Sequence, residues 1–132
     1  MTTMTQTWNG AEAGSPKRSR VVAGSLWALQ IVTAAMFLAA GISKLTGVDA
    51  MVQAFASIGV GQWFRYVTGT IEVVSAALLL IPSVASYGAA ALAATMIGAV
   101  ITHLFVIGGS PAVPIVLLAS TATIAWARRN DG

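Results

Sequence analysis

The sequence predicts an all-α integral membrane protein: an antiparallel four-helix bundle with a short interfacial helix between its first two spans. Three observations predict it. Hydrophobic residues make up 57% of the 132 residues and charged residues only 8%, against about 25% charged in an ordinary soluble domain. The few charges are also clustered at the ends: Glu12, Lys17, Arg18, Arg20, Arg128, Arg129 and Asp131. Lys44, Asp49, Arg65 and Glu72 are the only charged residues in 21–127, too few to cover the outside of a fold that meets water. Finally, four apolar runs alternate with Gly-, Pro- and charge-bearing breaks.

The elements follow in order. Residues 1–20 are rich in Thr, Ser and Gly and close on Lys17, Arg18 and Arg20, which reads as a disordered basic tail. The run after it is too long for a secretory signal core of roughly 7–15 residues. It reads as a first span, 21–43, ended by Lys44. Asp49 is expected to cap a short helix at 50–58, with Gly59 as its stop. Met51, Val52, Phe55 and Ile58 share one face of that helix, the pattern of a segment lying on a membrane surface. The second span, 63–81, opens on the aromatic residues Trp63, Phe64 and Tyr66 and is closed by Pro82. The third is expected at 84–107 and ends before the turn Gly108-Gly109-Ser110-Pro111. A shorter fourth follows at 113–127, and residues 128–132 form a second short tail.

Four spans put both tails on one side. Lys17, Arg18, Arg20, Arg128 and Arg129 flank the spans there, against Lys44 and Arg65 opposite. The excess of basic residues assigns both termini to the cytoplasm. The same excess explains the formal charge of +3 without nucleic acid, since no basic face with interleaved aromatics exists. The absence of cysteine removes disulfides, thiolate catalysis and iron–sulfur ligation. One histidine and one intramembrane carboxylate fall short of a usual metal-ligand set, so no metal is expected.

Glu72 is the most informative residue. It lies nine positions past Trp63, about 13 Å below the outer interface by helix rise. A carboxylate at that depth must be protonated, paired or hydrated. Arg65, Thr68, Gly69, Glu72, Ser75 and Ala76 fall on one small, polar helical stripe, which should face other helices. Lys44 ends the first span, and His103 lies about 6 Å inside the outer end of the third. Lys44, Arg65, Glu72 and His103 therefore share the outer half of the bundle. There they can converge on an outward-facing polar pocket, with hydroxyls from Thr68, Thr102 and Ser43. Plain alternatives stand beside this one: a structural ion pair for Glu72, snorkelling for Lys44, a topology anchor for Arg65, and a hydrogen-bonded interior ring for His103. Gln30, in mid-span, is expected to hydrogen-bond between helices. Ala89–Ala94 and Gly98-Ala99 are expected to allow close helix approach. Trp63, Phe64 and Tyr66 are expected beside the pocket mouth; the other aromatic and Met residues read as packing or lipid-facing groups.

Residues 27–127 resemble the DoxX-like family of small four-span bacterial membrane proteins. The resemblance is carried by Ala40-Gly41-Ile42-Ser43-Lys44-Leu45, Phe55-Ala56-Ser57-Ile58-Gly59-Val60, Trp63-Phe64-Arg65-Tyr66-Val67-Thr68-Gly69, Glu72 with Leu78-Leu79-Leu80-Ile81-Pro82, and Gly98-Ala99-Val100-Ile101-Thr102-His103-Leu104. It implies an inner-membrane protein that partners redox enzymes. One branch of the family belongs to a thiosulfate:quinone oxidoreductase, and Lys44, Glu72 and His103 match the family's motif positions. A chain without cysteine or a cofactor-ligand set needs a bound quinone or a partner for any electron transfer. The expected function is therefore non-catalytic: binding of a small lipophilic or quinone-like ligand, or of a redox-enzyme partner. Alternatives from other classes are a proton-coupled transporter using Glu72, which would need a homo-oligomer, and an assembly subunit of a membrane complex.

Overall fold

A computed structural model describes residues 19–130; the expected tails at 1–18 and 131–132 lie outside the described residues. The helices run α1 (Arg20–Thr46), α2 (Asp49–Ile58), α3 (Trp63–Leu79), α4 (Ala85–Thr102) and α5 (Ala112–Arg128). A π-helical turn, His103–Ile107, continues α4. No strand occurs among the described residues. Helix α1 packs on α3, α3 on α4, α4 on α5, and α5 returns to α1; α2 touches α1, α3 and the π turn.

Local chemistry sets the helix ends. Ser19 accepts a hydrogen bond from the Val22 amide at 3.1 Å, satisfying one of the free donors of the first turn, so α1 begins at Arg20. It ends on Gly47 in the left-handed region, φ 75°, which glycine adopts without a Cβ penalty. Gly59 ends α2 in the same way, φ 81°. The expected Asp49 cap is corrected: Val48 occupies the cap position and no side chain bonds there. Asp49 is instead the first helical residue, where its charge meets the positive end of the helix dipole. Helix α3 stops at Leu79, two residues short of the expected 63–81 span. The residue before a proline is disfavoured in the α conformation. The last turn tightens instead, with Leu80 N–H donating to Ala77 O at 3.1 Å and Ile81 N–H to Leu78 O at 3.0 Å.

The exterior is apolar, unlike that of a protein in water, and the interior mixes apolar with polar side chains. Phe37, Leu79, Leu92 and Ile124 share the fully buried centre with Gln30, Thr33, Glu72 and Thr121. Ile31, Val32, Ile71, Val74, Ile97 and Val116 are exposed. The exposed hydroxyls of Thr70 and Thr123 each donate to the carbonyl four residues back at 2.8 Å. A hydroxyl that satisfies itself in this way suits an apolar surround. Two helices are long and apolar enough to cross a membrane: Arg20–Thr46 and Ala85–Ile107. Helices α3 and α5 have 17 residues each, about 26 Å by helix rise.

Glycine sets the closest crossings. A Cβ on Gly88 would stand 2.7 Å from Ser75 O and 2.8 Å from Leu78 Cβ, so α4 meets α3 there. Gly98, expected to serve such an approach, has nothing within 4 Å of an added Cβ. Its side of α4 borders a cavity instead.

Candidate functional site: a cavity beside the Lys44–Glu72 pair

Glu72 is buried on α3, 1% exposed, and its carboxylate pairs with Lys44 from α1. Nζ lies 2.9 Å from Oε1 and 3.2 Å from Oε2. A carboxylate removed from water needs such a partner. The pair exists because α1 and α3 touch through glycine: a Cβ on Gly69 would lie 3.0 Å from Lys44 Cβ. Lys44 Cβ thus sits against α3 at Gly69, three residues before Glu72.

Beside the pair opens a cavity of about 610 Å³. Lys44, Glu72, Thr68, Thr102 and His103 all border it. These are five of the seven residues that the sequence places at the pocket; Arg65 and Ser43 are the other two. Arg65 is buried but does not border the cavity. Its Nη1 donates to the Lys44 carbonyl oxygen, one of the last carbonyls of α1, which have no helical partner. Its Nε donates to Gln62 Oε1 at 2.8 Å, and its guanidinium lies 4.4 Å from the Tyr66 ring centre. Arg65 thus fixes the backbone from which Lys44 extends, and its charge suits the negative end of the α1 dipole. Ser43, expected to add a hydroxyl, donates to Ala39 O at 2.7 Å instead.

His103 sits where α4 passes into the π turn, a backbone form frequent at functional sites. Its Nδ1 lies 2.8 Å from Ala99 O. A carbonyl can only accept, so Nδ1 carries the hydrogen and Nε2 of the neutral ring is an acceptor.

The apolar wall is largely outside the sequence-based expectation. Phe37, Met96, Leu117 and Phe64 border the cavity, joined by Met51 and Phe55 from α2. The apolar face of α2 is thus turned onto the cavity. Phe55 is 6% exposed and meets Phe64 edge-on with ring centres 5.8 Å apart. Of the three aromatics at the start of α3, only Phe64 faces inward; Trp63 and Tyr66 are exposed. A 3.6-residue period marks one side of α2 as apolar but does not say what covers it.

A second polar cluster lies away from the cavity. Gln30 Nε2 donates to Leu79 O at 2.7 Å, the interhelical bond expected of Gln30. Arg128 donates to Gln30 Oε1 from Nε at 2.9 Å and Nη2 at 2.7 Å. Arg128 is expected in the tail; it is buried as the last residue of α5. Nothing in the sequence separates it from its exposed neighbour Arg129.

Residues 28–127 match the family model for the DoxX-like family. The chain belongs to the DoxX-like family, which is membrane-associated. Over 74 residues the chain is 32% identical to a Bacillus subtilis (strain 168) protein named "Putative oxidoreductase CatD". That match covers 56% of this chain and 55% of the relative, so the chain spans about half the length of the curated relative it matches. No solved structure matches the chain.

Proposed function

We propose that this DoxX-like chain is a non-catalytic, multi-pass inner-membrane protein that holds a small lipophilic, quinone-like molecule in the cavity beside Lys44 and Glu72. Its four long helices form an antiparallel bundle with both termini in the cytoplasm. Gln30, in the first half of α1, meets Leu79 at the end of α3, and Lys44 near the end of α1 meets Glu72, earlier in α3, which supports opposite directions for that pair. The basic residues flanking the spans support the orientation.

One observation carries the ligand-binding reading. A cavity of about 610 Å³ falls in the ordinary range for ligand sites, and it combines an aromatic and aliphatic wall with a few convergent polar groups. An aromatic head with an apolar tail fits that division. The name of the Bacillus relative, an oxidoreductase, supports a redox setting. In that setting the chain supplies the binding site and a partner enzyme the electron transfer.

The test is thermal unfolding of the purified protein in detergent, titrated with a short-chain benzoquinone in its oxidised and reduced states. A molecule that binds the folded state raises the midpoint in proportion to the logarithm of its concentration over Kd. Stabilisation by at least one state, lost in Glu72→Gln, is expected. Stabilisation by neither state would overturn the assignment.

A further inference from the structure

The hydrogen-bond inventory of the cavity is one-sided. Its polar side chains are Lys44, Glu72, His103, Ser110 and three threonines. Each threonine hydroxyl already gives its hydrogen to the carbonyl four residues back: Thr68 to Phe64 at 2.9 Å, Thr95 to Ala91 at 2.9 Å, and Thr102 to Gly98 at 2.8 Å. What remains on those oxygens are lone pairs. His103 has committed its Nδ1 hydrogen to Ala99 O, which leaves Nε2 an acceptor when the ring is neutral. The Glu72 carboxylate accepts only. On the donor side, Lys44 directs hydrogens to both Glu72 oxygens and has one to spare. Ser110, in the exposed turn before α5, accepts from the Ala112 amide at 3.2 Å and keeps its own hydrogen.

A ligand carbonyl entering this cavity brings more lone pairs to a wall already rich in them. A hydroxyl brings a hydrogen to a wall whose free acceptors outnumber its free donors. Sites built around hydrogen-bonding groups discriminate strongly, because a mismatched ligand leaves buried polar atoms unpaired.

We propose that the cavity selects the ring-hydroxyl form of its ligand, a hydroquinone or related phenol, over the corresponding carbonyl form. His103 Nε2 and Thr102 Oγ1 are the acceptors for the ring hydroxyls, and the aromatic wall of Phe37, Phe55 and Phe64 holds the ring. This rests on the quinone-like ligand proposed above and adds the state in which it is held.

The experiment compares a short-chain benzoquinol with its own benzoquinone, under anaerobic conditions, on the full chain in detergent. Shape and apolar area are nearly matched, so the difference isolates the hydrogens. The quinol should give the same rise in unfolding midpoint at a concentration roughly tenfold or more below that of the quinone. Equal potency, or a preference for the quinone, overturns this inference and leaves the ligand-binding proposal standing. Stabilisation by neither overturns both. His103→Phe keeps a ring of similar size, and Thr102→Val keeps the shape of its side chain. Each should narrow the quinol preference severalfold while changing quinone potency little; a preference unchanged in both variants removes these two residues as the acceptors.

Discussion

Gly41 on α1 and Gly69 on α3 lie against each other. A Cβ on Gly41 would stand 2.9 Å from the Gly69 carbonyl oxygen, and a Cβ on Gly69 3.0 Å from the Gly41 carbonyl oxygen. Both obstacles are backbone atoms inside helices, so neither can swing aside. Gly69→Val should therefore separate α1 from α3 at the level of the ion pair and cost about 1–3 kcal/mol. Gly24 provides the control: an added Cβ there meets nothing within 4 Å, and Gly24→Ala should leave stability unchanged or raise it by up to about 1 kcal/mol. Denaturant unfolding in detergent compares the two; equal effects would refute the crossing as the critical contact.

The ion pair yields a second prediction with an internal check. Lys44→Met leaves the buried Glu72 carboxylate without its cation, a situation that costs roughly 3–5 kcal/mol in protein interiors. Removing both charges, as Lys44→Met with Glu72→Met, should recover most of that loss, because an apolar pair of similar volume needs no compensation. A double-mutant cycle measures the difference. A double variant as unstable as Lys44→Met alone would show that Lys44 acts through packing and not through charge.

Part of this arrangement is legible in the sequence for a definite reason. Charges are so scarce between residues 21 and 127 that Lys44 and Glu72 have few other partners. The helical period places Glu72 on the same stripe as Gly69. The helix end at Gly59 is equally readable, since it needs positive φ, whereas α1 runs past the expected stop at Lys44 to Gly47. Other features depend on three-dimensional contacts that no local pattern encodes. The role of Phe37 and Met96 as cavity wall rests on how their helices are placed around the cavity. Arg65 and Lys44 sit 21 positions apart, and the charge pattern alone makes Arg65 a surface anchor; its bond to the Lys44 carbonyl appears only once Gly47 brings the chain past it. Gly98 looks like a packing glycine by composition, and only the helix crossing shows that Gly88 has that task.

Arg128 and Arg129 supply a third prediction. They are adjacent and chemically identical, yet Arg128 is buried with two donors on Gln30 Oε1, while Arg129 is exposed and lies over the Trp126 ring. Arg128→Ala should lower stability by about 1.5–3 kcal/mol, the range for a hydrogen bond to a charged group. Arg129→Ala should fall within about 0.5 kcal/mol of the parent. Arg128→Lys should not restore the loss, since an ammonium cannot reproduce two donors in a fixed plane. Equal midpoints for the two alanine variants would refute the Gln30–Arg128 link as a structural tie.

The last prediction concerns α2, the short wall of the cavity. Few contacts hold it: Phe55 edge-on to Phe64, and Gln62 Nε2 donating to Val52 O at 3.0 Å. Glycines with positive φ, Gly47 and Gly59, bound it on either side. A helix of 10 residues is marginal by itself and depends on its packed face. Phe55→Ala removes that face without touching the contacts between the long helices. Amide exchange in α2 should therefore accelerate by about tenfold or more, while exchange in α1 and α4 stays close to the parent, as expected for a segment that opens locally. Hydrogen exchange read by mass spectrometry resolves the two regions. Uniform acceleration across all helices would mean that Phe55 supports the whole fold and that α2 is not a separately opening wall.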